Sequence, residues 1–337
     1  MNKEQIELIE SLLKKPKHIV ILPHRNPDGD ALGSTLALYH FLKQKGHNPV
    51  VISPNEFPPN LAFLPGSEHI YIFEKNKTSC AEIIRNTELV FTLDFNSLQR
   101  VGELEEVLKT LTVPFIMIDH HEAPCDYAVV KYSDTAFGST CEMMYRFIEY
   151  LNGLELIDEK IATCLYTGIT TDSGSFRFPK TTPQTHRIVA KLLEKGVKNF
   201  EVHGELYDNN SYNSLQLLGR ALQNLKVLEK HKTSYITLSQ KELDEFNSQK
   251  GDTEGIVNYG LSVKDIIFTA IFIENKEEGI IKISLRSKGS FDVNKLARQF
   301  FNGGGHINAA GGKTFLSMQE TIDLFLEVVK NHKELQS

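Results

Sequence analysis

Aspartate and histidine recur in four short clusters along this 337-residue chain, in a combination suited to holding metal ions. His24, Asp28 and Asp30 lie in HRNPDGD, and Asp94 closes ELVFTLD. Asp119 closes VPFIMID with His120 and His121 directly after it, and Asp172 lies in GITTDSGSF. Taken singly, each aspartate would pass for a turn former or a helix cap. Gathered in one cleft, these carboxylates and imidazoles could not all stay ionised without compensating positive charge, and Arg25 supplies only part of it. A pair of divalent cations would offset the repulsion. A thiolate-free set of carboxylates and imidazoles favours Mn2+ or Mg2+, and the histidines tilt the choice to Mn2+. A carboxylate shared by two ions ~3.5–4 Å apart suits phosphoryl transfer, and Asp94, alone at its strand end, is the best bridging candidate.

Such a gathering needs elements that bring distant segments to one edge. HIVILP (18–23), residues 49–52, ELVFTLD (88–94) and VPFIMID (113–119) read as strands separated by helical patterns, the signature of a parallel α/β sheet. Residues just past the carboxyl ends of such strands converge on one crevice. Helices are expected at the N-terminus through Ile6, Ile9 and Leu13, at 31–45 before Gly46, at 98–110, at 139–151 and from about 158. Residues 183–195 and 211–224 also look helical. Beyond them KVLEK, SYITLS, DIIFTAIFIE and GIIKISLRS predict a smaller, mixed-sheet α/β domain. The expected division is a catalytic domain at 1–196, a helical linker at 197–224 and a second domain at 225–337.

FNGGGHINAAGGK (301–313) is the other local signal. Without side chains, Gly303, Gly304 and Gly305 can bring backbone N–H groups close to an anion, and His306 can donate beside them. Arg286, on a strand end, offers a bidentate phosphate contact, and Ser287 adds a hydroxyl. Lys313 is either a third contact or a surface charge. The plainer reading is a tight turn before a packed helix.

Bulk properties narrow the partners. No apolar run approaches the ~18 residues that span a bilayer, and MNKEQIELIESLLKKP does not read as a signal peptide, so a cytoplasmic protein without a membrane partner is expected. Cys80, Cys125, Cys141 and Cys164 form no CxxC pair and read as reduced packing residues. The formal net charge of −6 argues against coating long nucleic acid, which calls for a basic surface.

HRNPDGDALGS, the Asp94 strand, IDHH and TDSGSF, in this order, resemble the four motifs of the DHH phosphoesterase superfamily, and GGGHINAAG resembles the glycine-rich motif of its DHHA1 domain. The resemblance covers nearly the whole chain. The two-domain layout is most similar to the bacterial oligoribonuclease/pAp phosphatase (nanoRNase) branch. The resemblance implies a parallel-sheet DHH domain with helices on both faces, followed by a DHHA1 domain. It implies that His24, Asp28 and Asp94 hold one Mn2+, and that Asp30, Asp94, His120 and Asp172 hold a second, with Mg2+ or Co2+ as substitutes. It also implies that Asp119 orients the site, that His121 contacts the scissile phosphate, and that Arg286, Ser287, the three glycines and His306 bind substrate. The expected substrates are very short RNA oligonucleotides and 3′-phosphoadenosine 5′-phosphate (pAp). A homodimer is left open.

Rival readings are a family II pyrophosphatase or exopolyphosphatase, a phosphodiesterase for linear or cyclic dinucleotides, a RecJ-type exonuclease, and a non-catalytic nucleotide-binding protein. GGGHINAAG and modest basicity argue against the first. The second is known in DHH proteins with extra membrane and sensory segments, and hydrolysis of pGpG or pApA is left open, while the third normally needs additional domains. The last would be expected to have lost a ligand, and none is lost.

Overall fold

Four apolar runs of the first half become the centre of a parallel sheet. In the computed structural model, which describes residues 1–249 and 251–335, the chain divides into two units, Met1–Asn209 and Asn210–Ser337. The first opens with α1 (Lys3–Leu12), β1 (His18–Leu22), α2 (Gly29–Gln44), β2 (Asn48–Ser53) and β3 (Tyr71–Ile72). Next come α3 (Lys77–Arg85), β4 (Leu89–Leu93), α4 (Leu104–Leu108), β5 (Phe115–Asp119) and β6 (Val130–Ser133). Helices α5 (Thr140–Tyr150), α6 (Glu159–Asp172), α7 (Pro183–Glu194) and α8 (Asn199–Tyr207) complete the unit. Among the described residues the strand order is β3-β2-β1-β4-β5-β6, with every pairing parallel.

Strand β1 shows why its run is apolar throughout. Side chains alternate across a strand. Ile19 and Ile21 therefore join one core with Leu36, Phe147 and Leu165 of α2, α5 and α6, while Val20 and Leu22 join another with Ile84 and Leu104 of α3 and α4. Both faces are covered, as a parallel sheet requires. One expectation is corrected. The single helix predicted at 98–110 is a 3-10 turn, Leu98–Val101, followed by α4, and Gly102 at φ +60° interrupts them with a left-handed residue that a continuous helix cannot contain.

The second unit comprises α9 (Tyr212–Asn224), β7 (Lys226–Leu228), β8 (Thr233–Leu238), α10 (Gln240–Glu245), α11 (Val257–Ser262), β9 (Phe268–Asn275) and β10 (Ile280–Ser287). It ends with α12 (Val293–Phe300), β11 (Gly304–His306), β12 (Ala309–Thr314) and α13 (Met318–Asn331). Its sheet runs β11-β12-β10-β9-β8-β7 and is mixed, because β8 and β9 pair in parallel and the other neighbours antiparallel. The glycine-rich segment lies within it as the β11–β12 hairpin rather than as a turn before a helix. Among the described residues no helix is long and apolar enough to cross a membrane.

Candidate metal centre

The four clusters meet beyond the carboxyl ends of β1, β4 and β5. His24 follows β1, Asp28 caps the N-terminus of α2, and Asp94 follows β4. The His24 Nδ1–H donates to the Arg25 carbonyl at 2.9 Å, which leaves Nε2 facing Asp94 Oδ2 at 3.3 Å and Asp28 Oδ2 at 3.9 Å. Asp28 Oδ1 meanwhile accepts the amides of Asp30 and Ala31. The helix cap and the free carboxylate oxygen are thus two halves of one side chain.

A second group forms on the other side of Asp94. His120 Nε2 lies 3.4 Å from Asp94 Oδ1, 3.3 Å from Asp172 Oδ2 and 3.9 Å from Asp30 Oδ2. Its Nδ1 is directed at the Phe137 carbonyl, 3.4 Å away. His121 Nδ1–H donates to Asp119 Oδ1 at 2.7 Å, while Asp119 Oδ2 is buried with no hydrogen-bond partner. Asp94 itself adopts φ +65°, a costly conformation for a residue with a Cβ. Its amide still donates to Ile118, which ties the distorted residue to β5.

Burial and charge act unevenly on these groups. Asp30 and Asp172 are held well above the ordinary carboxyl range, first by burial and then by neighbouring carboxylates, Asp94 and Asp28 on Asp30 and chiefly Asp30 on Asp172. Burial would also raise Asp94, but the His24 hydrogen bond and the charges of His121 and His120 outweigh it and hold Asp94 below its usual value. Burial lowers His120. His24 and His121 are raised because hydrogen bonds to Asp94 and Asp119 outweigh burial.

The donor set fits divalent cations. His24, Asp28 and Asp94 each offer an atom within 4.8 Å of the others, and so do Asp30, His120 and Asp172. In both groups the histidine turns its other ring nitrogen to a backbone carbonyl, which fixes the tautomer and orientation that a metal ligand needs. Crowded carboxylates of raised pKa are what bound cations would relieve.

Residues 18–169 match the DHH family, N-terminal domain, and residues 232–332 match the DHHA1 domain. A bifunctional oligoribonuclease and PAP phosphatase NrnA from Thermus thermophilus is 31% identical over 332 residues, spanning 97% of this chain and 94% of that protein. This chain belongs to the DHH family. The similarly named protein of Bacillus subtilis is 27% identical, over 88% of this chain and 89% of its own length. The solved structure of an exopolyphosphatase-related protein from Bacteroides fragilis matches with a TM-score of 0.95 and 36% identity, covering 99% of this chain and 98% of that one. Of the DHH ligand candidates, only Asp172 falls outside the residues matched to the family's N-terminal domain.

The DHH centre also uses residues that the sequence reading passed over. The first turn of α5 supports Asp30, whose Oδ2 accepts the Thr140 amide at 2.6 Å and whose Oδ1 accepts the Cys141 amide at 2.8 Å. The Thr140 hydroxyl donates to Asp94 Oδ1. Ser139 followed by Glu142 was an available signal for a helix start there, and Ser139 does cap Glu142. Arg100 lies close enough to oppose protonation of His24 and His121, and Lys180 to pull Asp172 down.

In the DHHA1 domain, Arg286 near the end of β10 donates to the Leu285 carbonyl, and burial lowers its pKa. The Ser287 hydroxyl donates to the Phe291 carbonyl and accepts from Asn308. Two of the three glycine amides predicted to face an anion are used internally, Gly303 by Ala297 O and Gly305 by Asn294 Oδ1. Gly304 and His306 belong to β11. Arg298, also passed over, donates to Asn294 Oδ1, and its guanidinium flanks Gly304.

Proposed function

We propose that this chain is a Mn2+-dependent phosphoesterase that degrades very short oligoribonucleotides to mononucleotides and removes the 3′-phosphate of pAp. The observation that carries the reading is that two donor groups meet on opposite oxygens of Asp94. His24, Asp28 and Asp94 would hold one ion, and Asp30, Asp94, His120 and Asp172 the other. Bound there, the pair would acidify a water and neutralise charge on the phosphoryl oxygens. Asp119 fixes the His121 ring through Nδ1, and His121 would contact the scissile phosphate. Thr140 and the first turn of α5 hold the Asp94 and Asp30 carboxylates in place.

In the same reading the catalytic domain is 1–196, 197–224 is a helical linker, and 225–337 recognises substrate through Arg286, Ser287, Gly303, Gly304, Gly305 and His306. A cytoplasmic location follows from such substrates. The names of the Thermus and Bacillus relatives support short RNA and pAp, while the Bacteroides relative's name favours polyphosphate as a second reading. The test is a side-by-side assay of pAp, pGpG, labelled RNAs of two to about ten nucleotides and polyphosphate with Mn2+. Turnover of polyphosphate alone would replace the proposal with the second reading, and no turnover of any substrate would remove both.

A further inference from the structure

A pocket beside the metal centre is lined by Arg25, Pro54, Phe73, Glu74, Val101 and Glu103, with Gly102 in its wall, and has a volume of about 190 Å3. Arg25 follows β1, Pro54 follows β2, Phe73 and Glu74 follow β3, and 101–103 lie in the segment after β4. The pocket therefore opens on the same edge of the parallel sheet as the ligand clusters, which is where such sheets bind their ligands. The chain itself joins it to the centre. Arg25 is the residue next to His24, and its amide donates to the Arg100 carbonyl at 2.8 Å.

The lining tells what would occupy it. Phe73 and Val101 are buried apolar walls. Of the three charged side chains, two are carboxylates, and the one guanidinium already pairs with Glu74 at 3.0 Å. Both carboxylates are held by cations, Glu74 by Arg25 and Glu103 by Lys77, which leaves no unengaged cation in the lining for a second phosphate. A planar, uncharged group that donates hydrogen bonds at its rim is a good fit. Bases meet proteins in this way, with the ring against apolar or guanidinium planes and the edge on polar groups. Gly102 preserves the wall, because at φ +60° a Cβ there would be strained and would stand 3.2 Å from Arg25 Cδ.

On the nucleotide-phosphoester reading above, on which this rests, we infer that the pocket is a base subsite for the nucleotide whose phosphate occupies the metal centre, and that it takes bases bearing an exocyclic amine. Glu74 and Glu103 accept from that amine, and the ring lies along Phe73 and the Arg25 guanidinium. The other charged group at hand, Lys77, is engaged by Glu103 at 2.5 Å and holds that carboxylate at the rim.

The experiment compares equilibrium binding of AMP and ribose 5-phosphate to the Mn2+-loaded full chain and to Glu103→Trp. The latter places an indole in the pocket from a position largely exposed to solvent, so folding is spared. Stacking on one base predicts that the wild type binds AMP about tenfold more tightly than ribose 5-phosphate. In Glu103→Trp that advantage should vanish while ribose 5-phosphate binds as before. Equal affinities in the wild type, or an AMP advantage that survives Glu103→Trp, would overturn the subsite. Hydrolysis plays no part in the comparison. A base advantage lost in the variant, in a protein that hydrolyses no phosphoester, would leave the subsite and remove the phosphoesterase reading.

Discussion

The Thr140 hydroxyl donates a 2.9 Å hydrogen bond to Oδ1 of Asp94. That oxygen also faces His120, so the hydroxyl aims the half of the carboxylate that serves the second donor group. Thr140→Val keeps the shape and removes the donor inside a fully buried site. Loss of such a supporting contact typically costs ~10–100-fold in metal affinity or activity. Calorimetric titration with Mn2+ checks this, with circular dichroism to confirm the fold. Unchanged affinity and turnover would show that Asp94 needs no such support.

The raised carboxyls give a pH dependence with a definite sign. Asp30 and Asp172 have folded-state pKa values above their unfolded ones. Their stabilising contribution is therefore present below the ordinary carboxyl range and is lost as pH rises through the raised values. Asp94 is depressed, so its contribution fails only in strong acid and stays constant near neutrality. Metal-free protein should lose stability from Asp30 and Asp172 as pH rises, whereas a cation binds their ionised forms. The gain in Tm on adding Mn2+ should then be larger at about pH 8 than at about pH 5.5. At one hundred times Kd the gain is ~2.7 kcal/mol, or about 5–10 °C for a domain of roughly 200 residues. Thermal melts at both pH values decide it, and a gain larger in acid would contradict the argument.

Much of the first unit was legible because its strands are buried on both faces. An uninterrupted run such as HIVIL has few alternatives when each alternate residue feeds a different core. The placement of the candidate ligand clusters was legible for a related reason, since polar residues directly after such runs mark strand ends. Strands β3 and β6 went unseen because Tyr71–Ile72 and VKYS carry no apolar run. Support of Asp30 by the amides of Thr140 and Cys141 left no trace, because a backbone N–H is the same in every residue but proline. The triple glycine was ambiguous in kind. Glycine serves both a close backbone approach and an anion, and only the hairpin register separates the two uses.

That register separates the glycines. A Cβ on Gly303 would lie 1.9 Å from the Gly311 carbonyl oxygen, whereas one on Gly304 would meet nothing nearer than Asn294 Oδ1 at 3.5 Å. Gly303→Ala should destabilise the second unit by ~1–3 kcal/mol through overpacking. Gly304→Ala should leave the melting temperature nearly unchanged. If a phosphate approaches Gly304 beside Arg298, the same variant raises KM for short RNA with little change in kcat. Equal melting losses in the two variants would contradict this assignment of roles.

Asp94 offers different oxygens to different histidines, Oδ2 to His24 and Oδ1 to His120, whereas Asp28 turns Oδ2 to His24. Asp28→Asn should therefore weaken one ion and spare the other, and Asp94→Asn should weaken both. Metal analysis after dialysis at low micromolar Mn2+ is expected to fall from two ions per chain to about one and to about none, respectively. Activity should drop at least ~100-fold in Asp94→Asn. The variant needs no misfolding to explain that loss, because the burden of buried negative charge on Asp30 and Asp172 is lightened when Asp94 is neutral. Two tightly held ions in Asp94→Asn would mean that the carboxylate is not shared and that each ion has a complete ligand set of its own.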